Sequence, residues 1–121
     1  MSLPVTLAAP QYLDTALALA QIGDTDAVRN ILTMVEESLQ RDIPQIAQWL
    51  QEGDVSAANG LLHPLKGFLP IFCHEALCAH VGRVEALSKT GSSAVVGEAY
   101  AALQPQLEQL LAEVSSYLKA Q

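Results

Sequence analysis

Leu61-Leu62-His63-Pro64-Leu65-Lys66-Gly67 is the stretch from which the whole chain can be read. Counted outward from it in both directions, Val55, Ala58, Leu62, Leu65, Leu69 and Phe72 recur every three or four residues and predict one buried stripe along a helix. His63 lies off that stripe. At roughly 100° per residue it sits about 130° from the stripe's centre, so its imidazole faces solvent. Lys66 and Gly67 flank it one turn later, and Asn59 and Gly60 one turn earlier. Lysine supplies a mobile cation that can meet an oxyanion beside the ring, while Gly67 removes the side chain that would crowd it. A phosphoryl group fits there.

The same helix violates local rules. Gly60, Pro64, Gly67 and Pro70 all oppose it. At about 3 kcal/mol for an interior proline and about 1 for a glycine, they cost on the order of 8 kcal/mol together, comparable to the net stability of a domain. Gly60, four residues before Pro64, relieves part of the proline clash. Such violations concentrate at functional sites. The blander alternative is that the helix ends or bends near Gly67 and His63 is an ordinary surface residue.

The neighbouring segments repeat the helical period. Residues 1–9 read as a tail, and residues 10–121 as one domain. Pro10 opens a short first helix carrying Leu13, Leu17 and Ala20, ended by Gly23. Asp24 or Thr25 caps a second, whose face is Val28, Ile31, Leu32, Val35, Leu39, Ile46 and Leu50; Pro44 inside it predicts a kink or a split near Asp42. Gly53 ends that helix and Asp54 caps the one carrying His63, a tight turn that makes the two antiparallel. A further helix starts near Glu75 with Leu77, Val81, Val84 and Leu87 inward. After the Thr90-Gly91-Ser92-Ser93 loop the last one follows with Val96, Tyr100, Leu103, Leu107, Leu110, Val114 and Tyr117 in four-three alternation. No polar–apolar alternation suggests a strand. The fold predicted is all-α: an antiparallel four-helix bundle with an additional short N-terminal helix packed on one end.

Composition narrows the function. With 121 residues, half of them apolar, the chain suits one core. No run of 18 apolar residues predicts a membrane span. The Met1-Ser2-Leu3-Pro4 start lacks the features of a signal peptide, and two cysteines suit a reducing compartment, so the cytoplasm is the expected location. A net charge of −7 with only six scattered Lys and Arg argues against nucleic acid as a partner.

His63-Pro64-Leu65-Lys66-Gly67, placed mid-helix in a chain of this length, resembles the H-x-x-K-G signature of the histidine-containing phosphotransfer (HPt) domain. The resemblance extends over residues 20 to 118. It takes in the Gln51-Glu52-Gly53-Asp54 turn and, downstream, Leu77, Val84 and Glu85, where the family commonly has two apolar residues and an acid. The chain departs from the pattern after Gly67, where Phe68-Leu69-Pro70-Ile71-Phe72-Cys73 replaces small residues and a second glycine. The resemblance implies a phosphocarrier rather than an enzyme. His63 would take a phosphoryl group from the aspartyl phosphate of a response-regulator receiver domain and pass it to another aspartate, with Lys66 stabilising the phosphoryl charge. Receiver domains are then the expected partners, with a hybrid sensor kinase as a further candidate. Mg²⁺ belongs to the receiver, and this chain needs no cofactor. The alternative is a helical interaction module that kept the fold and lost the transfer.

Two further readings concern the surface. Gly60, Pro64, Gly67 and Ile71 fall at spacings of four, three and four and form a flat second stripe beside His63 and Asn59, suited to partner docking unless the first helix or the tail covers it. Cys73, His74, Cys78 and His80 invite a metal. On a helix, however, His74 and Cys78 share one face while Cys73 and His80 lie on another, so they do not converge, and a five-residue spacing cannot close a disulfide across an unbroken helix.

Overall fold

The computed structural model describes residues 10–120; the tail expected over residues 1–9 lies outside the described residues. Five helices follow one another: α1 (Thr15–Ile22), α2 (Thr25–Gln51), α3 (Val55–Phe68), α4 (Glu75–Thr90) and α5 (Ser93–Ala120), with a 3-10 turn, Leu69–Ile71, between α3 and α4. Short connections make α2 to α5 an antiparallel bundle in which α2 packs on α3 and α5, and α4 on α3 and α5. Helix α1 packs against α2 and the 3-10 turn. None of the helices described is long and apolar enough to cross a membrane.

Local chemistry sets the ends. Asp24 accepts the amide of Ala27 at 2.9 Å and Asp54 that of Ala57 at 3.0 Å, each capping the helix it precedes. Gly53 takes φ 86° at the reversal between α2 and α3, a conformation in which a Cβ would be strained. Leu32, Leu39, Ile46, Leu62, Leu65, Leu77, Val81, Leu103 and Leu107 form the centre of one core. Tyr100 joins them, donating its hydroxyl to the Ile43 carbonyl at 2.8 Å, while Trp49 packs half-buried at the core's edge.

Several expectations are corrected. The first helix starts at Thr15 rather than Pro10, capped by Asp14; residues 11 and 12 bend and Leu13 makes an isolated bridge. Leu13 is buried but outside the helix, pairing antiparallel with Cys73, while Ala20 is exposed. The cause is backbone pairing with the segment after the 3-10 turn: the Asp14 amide donates to the Phe72 carbonyl and the His74 amide to the Tyr12 carbonyl, while the Glu113 carboxylate accepts the amides of Gln11, Tyr12 and Leu13. Helix α2 is not split at Pro44. The donor it lacks belongs opposite the Gln40 carbonyl, and both residues are exposed, so water satisfies that group. Helix α3 does end near Gly67: Pro70 cannot donate to the Lys66 carbonyl, and the chain tightens into the 3-10 turn, where proline at an early position costs little. Leu69 and Phe72 are buried all the same. Leu87 is 40% exposed, and α4 buries Glu85 and Ser88 instead. Tyr117 is only half-buried against the core.

Candidate functional site

The helical spacing that sends Ala58, Leu62 and Leu65 inward puts His63 on the outer edge of α3, with its side chain 67% exposed. Across from it, α4 carries Glu85 on the flank of its Val81 and Val84 face, fully buried. The Nδ1 atom of His63 lies 3.2 Å from Glu85 Oε2. Three further groups converge on the same carboxylate: Asn59 donates its side-chain amide to Oε2 at 3.1 Å, Lys66 Nζ lies 3.4 Å from Oε1, and Lys89 Nζ lies 3.7 Å from Oε2. Asn59 also donates to Ser88 Oγ at 2.8 Å, and that hydroxyl donates to the Glu85 carbonyl at 2.7 Å, fixing the floor of the site.

Burial alone would push the Glu85 carboxyl up. The hydrogen bonds from Asn59 and His63 and the charges of Lys89 and Lys66 outweigh it and hold the group below the usual carboxylate range. A carboxylate only accepts, so the proton between it and His63 sits on Nδ1. The Nε2 lone pair is then left pointing away from α4, available as a nucleophile.

The residues singled out from the sequence are placed as follows. Lys66 is on the His63 face and half-exposed. A Cβ added at Gly67 or Gly60 would meet no atom within 4 Å, so the room they leave lies outside the domain. Pro64 is exposed beside them. Ile71 sits in the 3-10 turn, not on α3, and is 36% exposed, with α1 packed against that turn. Asn59, expected on the docking face, is half-buried with its amide nitrogen committed to α4.

Glu85 and Lys89 were not among the site residues chosen from the sequence. The signal for Glu85 is the α4 face itself: Glu85 follows Val81 by four, and Ser88 follows Val84 by four, so the buried strip runs through polar residues rather than Leu87, and Lys89 follows Glu85 by four.

The Cys73, His74, Cys78 and His80 group does not assemble. Cys73 precedes α4, so the unbroken helix assumed for the pair is absent; both thiols are free, and burial pushes Cys73, and less strongly Cys78, up. His74 faces Asp14 at 3.6 Å and His80 meets Gln106 at 2.9 Å. Among the described residues no three His, Cys, Asp or Glu side chains form a metal-ligand group.

Neither the curated proteins nor the solved structures compared with the chain give a match. A sequence model of the Hpt domain does, over residues 30–116, most of the chain and all of the helices that carry His63, Lys66, Glu85 and Lys89. With an exposed histidine, its lysine one turn on and the bundle that holds them, the chain belongs to the Hpt domain family.

Proposed function

We propose that this domain is a phosphorelay intermediate in which His63 Nε2 takes a phosphoryl group from the aspartyl phosphate of one receiver domain and delivers it to the aspartate of another. The observation that carries the reading is the exposed imidazole backed by a buried carboxyl group at 3.2 Å. Family membership supports it, since Hpt domains are phosphocarrier modules.

In the forward step the Nε2 lone pair forms the N–P bond as the P–O bond of the acyl phosphate breaks. The receiver's carboxylate leaves with that electron pair. The ring keeps its proton on Nδ1 and becomes cationic, facing Glu85. Delivery reverses these changes. Because the transition state is loose, with charge spread over the equatorial oxygens, an in-line nucleophile and a nearby cation suffice on this side, and Lys66 is that cation. Mg²⁺ and the acidic pocket are assigned to the receiver, so the domain works without a cofactor of its own. Gly60, Pro64, Gly67 and Ile71, with Asn59 at their edge, form the docking face, and the cytoplasm is the compartment in which receivers and a hybrid kinase meet it.

The test is labelling by a phosphorylated receiver. His63→Gln should take up no phosphate while remaining folded, because the side chain is exposed. The wild-type label should be acid-labile and alkali-stable, as a phosphoramidate is. Undiminished labelling of His63→Gln would sink the assignment and turn attention to His74 or His80.

A further inference from the structure

Two of the six cations of this acidic chain, Lys66 and Lys89, converge on the single carboxylate of Glu85. One ammonium would balance the charge, so the second is in excess. The two approach differently. Lys66 reaches across from α3 to Oε1, while Lys89 reaches back along α4 from four residues on to Oε2, the oxygen that also receives His63 and Asn59. Both lysine side chains are about half-exposed, so neither is locked in place.

Lys66 shares a face with His63 and has two anions to serve in turn, Glu85 before transfer and the phosphoryl oxygens during it. If it were the only ammonium, its departure would leave a fully buried carboxylate with no counter-charge until the His63 ring, 3.2 Å away, gains its own as the N–P bond forms, which is costly early in the step. We propose that Lys89 is a positioning residue that keeps Glu85 neutralised, so that Lys66 is free to leave it for the phosphoryl group on His63. Oε1 loses its donor in the exchange, while Oε2 keeps its hydrogen bonds to Asn59 and His63 and the charge of Lys89 at 3.7 Å. The groups that face Glu85 are thus His63, Lys66 and Asn59 from α3, and Lys89 and Ser88 from its own helix.

The inference rests on the phosphotransfer reading, and its test keeps the two separable. A receiver domain charged with radiolabelled acetyl phosphate is mixed with wild type, Lys89→Met, Lys89→Arg, Lys66→Met and the Lys66→Met/Lys89→Met pair, and initial rates of transfer are compared. Lys89→Met should slow transfer roughly two- to fivefold, the scale of one half-exposed charge contact, and Lys89→Arg should restore it. On the Lys66→Met background the Lys89→Met change should add nothing, because no lysine remains to be released. The Glu85 carboxyl carbon resonance should titrate at higher pH in Lys89→Met and return in Lys89→Arg, and the dependence of the rate effect on Lys66 separates this role from a merely structural surface pair. If wild type takes no label, the phosphotransfer reading fails. If wild type labels normally but Lys89→Met transfers at the wild-type rate, or slows transfer equally with and without Lys66, the role given to Lys89 is overturned and the reading stands.

Discussion

Glu85 and Glu113 are both buried, both held below the usual carboxylate range against the opposing effect of burial, and both surrounded by four polar or charged groups. What differs is who donates. Glu113 accepts the backbone amides of Gln11, Tyr12 and Leu13 at 2.8, 2.9 and 3.0 Å, and the Gln109 side chain at 2.9 Å, all of them neutral. Glu85 meets only side chains, three of which belong to histidine or lysine and end in solvent, Lys89 as an ion pair at 3.7 Å. Backbone donors cannot exchange without unfolding the segment that carries them, so Glu113 is a fastening. Side-chain donors on half-exposed stems can leave and return, which suits Glu85 to the proposed phosphotransfer site. A perturbed buried carboxylate is therefore not by itself a functional mark, and the mobility of its partners separates the two cases.

The largest expected effect is on the fastening. Glu113→Ala leaves three backbone amides without their acceptor and should lower stability by about 3 kcal/mol in denaturant titrations, with the phosphotransfer rate of the folded protein unchanged. A loss of transfer at unchanged stability would break the comparison. The reverse pattern is expected at the other carboxylate's partner: Lys66→Ala should slow transfer by about one to two orders of magnitude and leave the melting midpoint nearly unmoved. An unchanged rate would mean that the receiver supplies all the charge compensation.

Ile71→Asp probes the face between the two ends. Weakening of receiver binding by about 1 to 2 kcal/mol with an unmoved midpoint is expected for a docking residue. A large drop in the midpoint would make Ile71 a core residue.

The smallest effect is the pH and salt dependence. Since both carboxyls have lowered values in the fold, each contributes stability that is present above about pH 4.3, the unfolded glutamate value, and is lost as pH falls through the lower folded value. Glu85→Gln and Glu113→Gln should each flatten the acid limb of the stability curve. Added salt should shrink the Glu85 share, which depends partly on lysine charges, and spare that of Glu113. Equal salt sensitivity would erase the distinction between them.

How far the sequence could be read follows from where each signal lies. The stripe of α5 from Val96 to Val114 is buried as its spacing predicts, because a long amphipathic helix declares its face residue by residue. Asp54 as a cap and Gly53 as a turn were equally local. His63 and Lys66 were legible because both sit on α3. Glu85, 22 residues away in the chain, was passed over as a site residue because an apolar letter at 87 outranked a charged one at 85, and only the approach of Asn59, His63 and two lysines makes that charge tolerable in the interior. The start of α1 is illegible for a similar reason, since what keeps residues 11–13 out of the helix is pairing with residues 72–74, joined by a carboxylate on α5. Pro44 and Pro70 looked alike as letters. One stands with its orphaned carbonyl in solvent and leaves α2 whole, whereas the other ends α3.

The clamp at Glu113 also sets an order of events. Its three backbone bonds bridge separations of 102, 101 and 100 residues, far longer than the turns that join successive helices. Contacts of such separation are rewarded only after the intervening chain has organised, so the segment at residues 11–13 should dock after the bundle has closed. The same logic runs backward in native-state hydrogen exchange, where a short peripheral segment, held by Glu113 and by its bridge to residues 72–74, opens at lower free energy than the centre of the bundle. The Leu13 amide should accordingly exchange faster than those of Leu62 or Leu107, and its protection during refolding marks the moment at which both ends of the fold have come together.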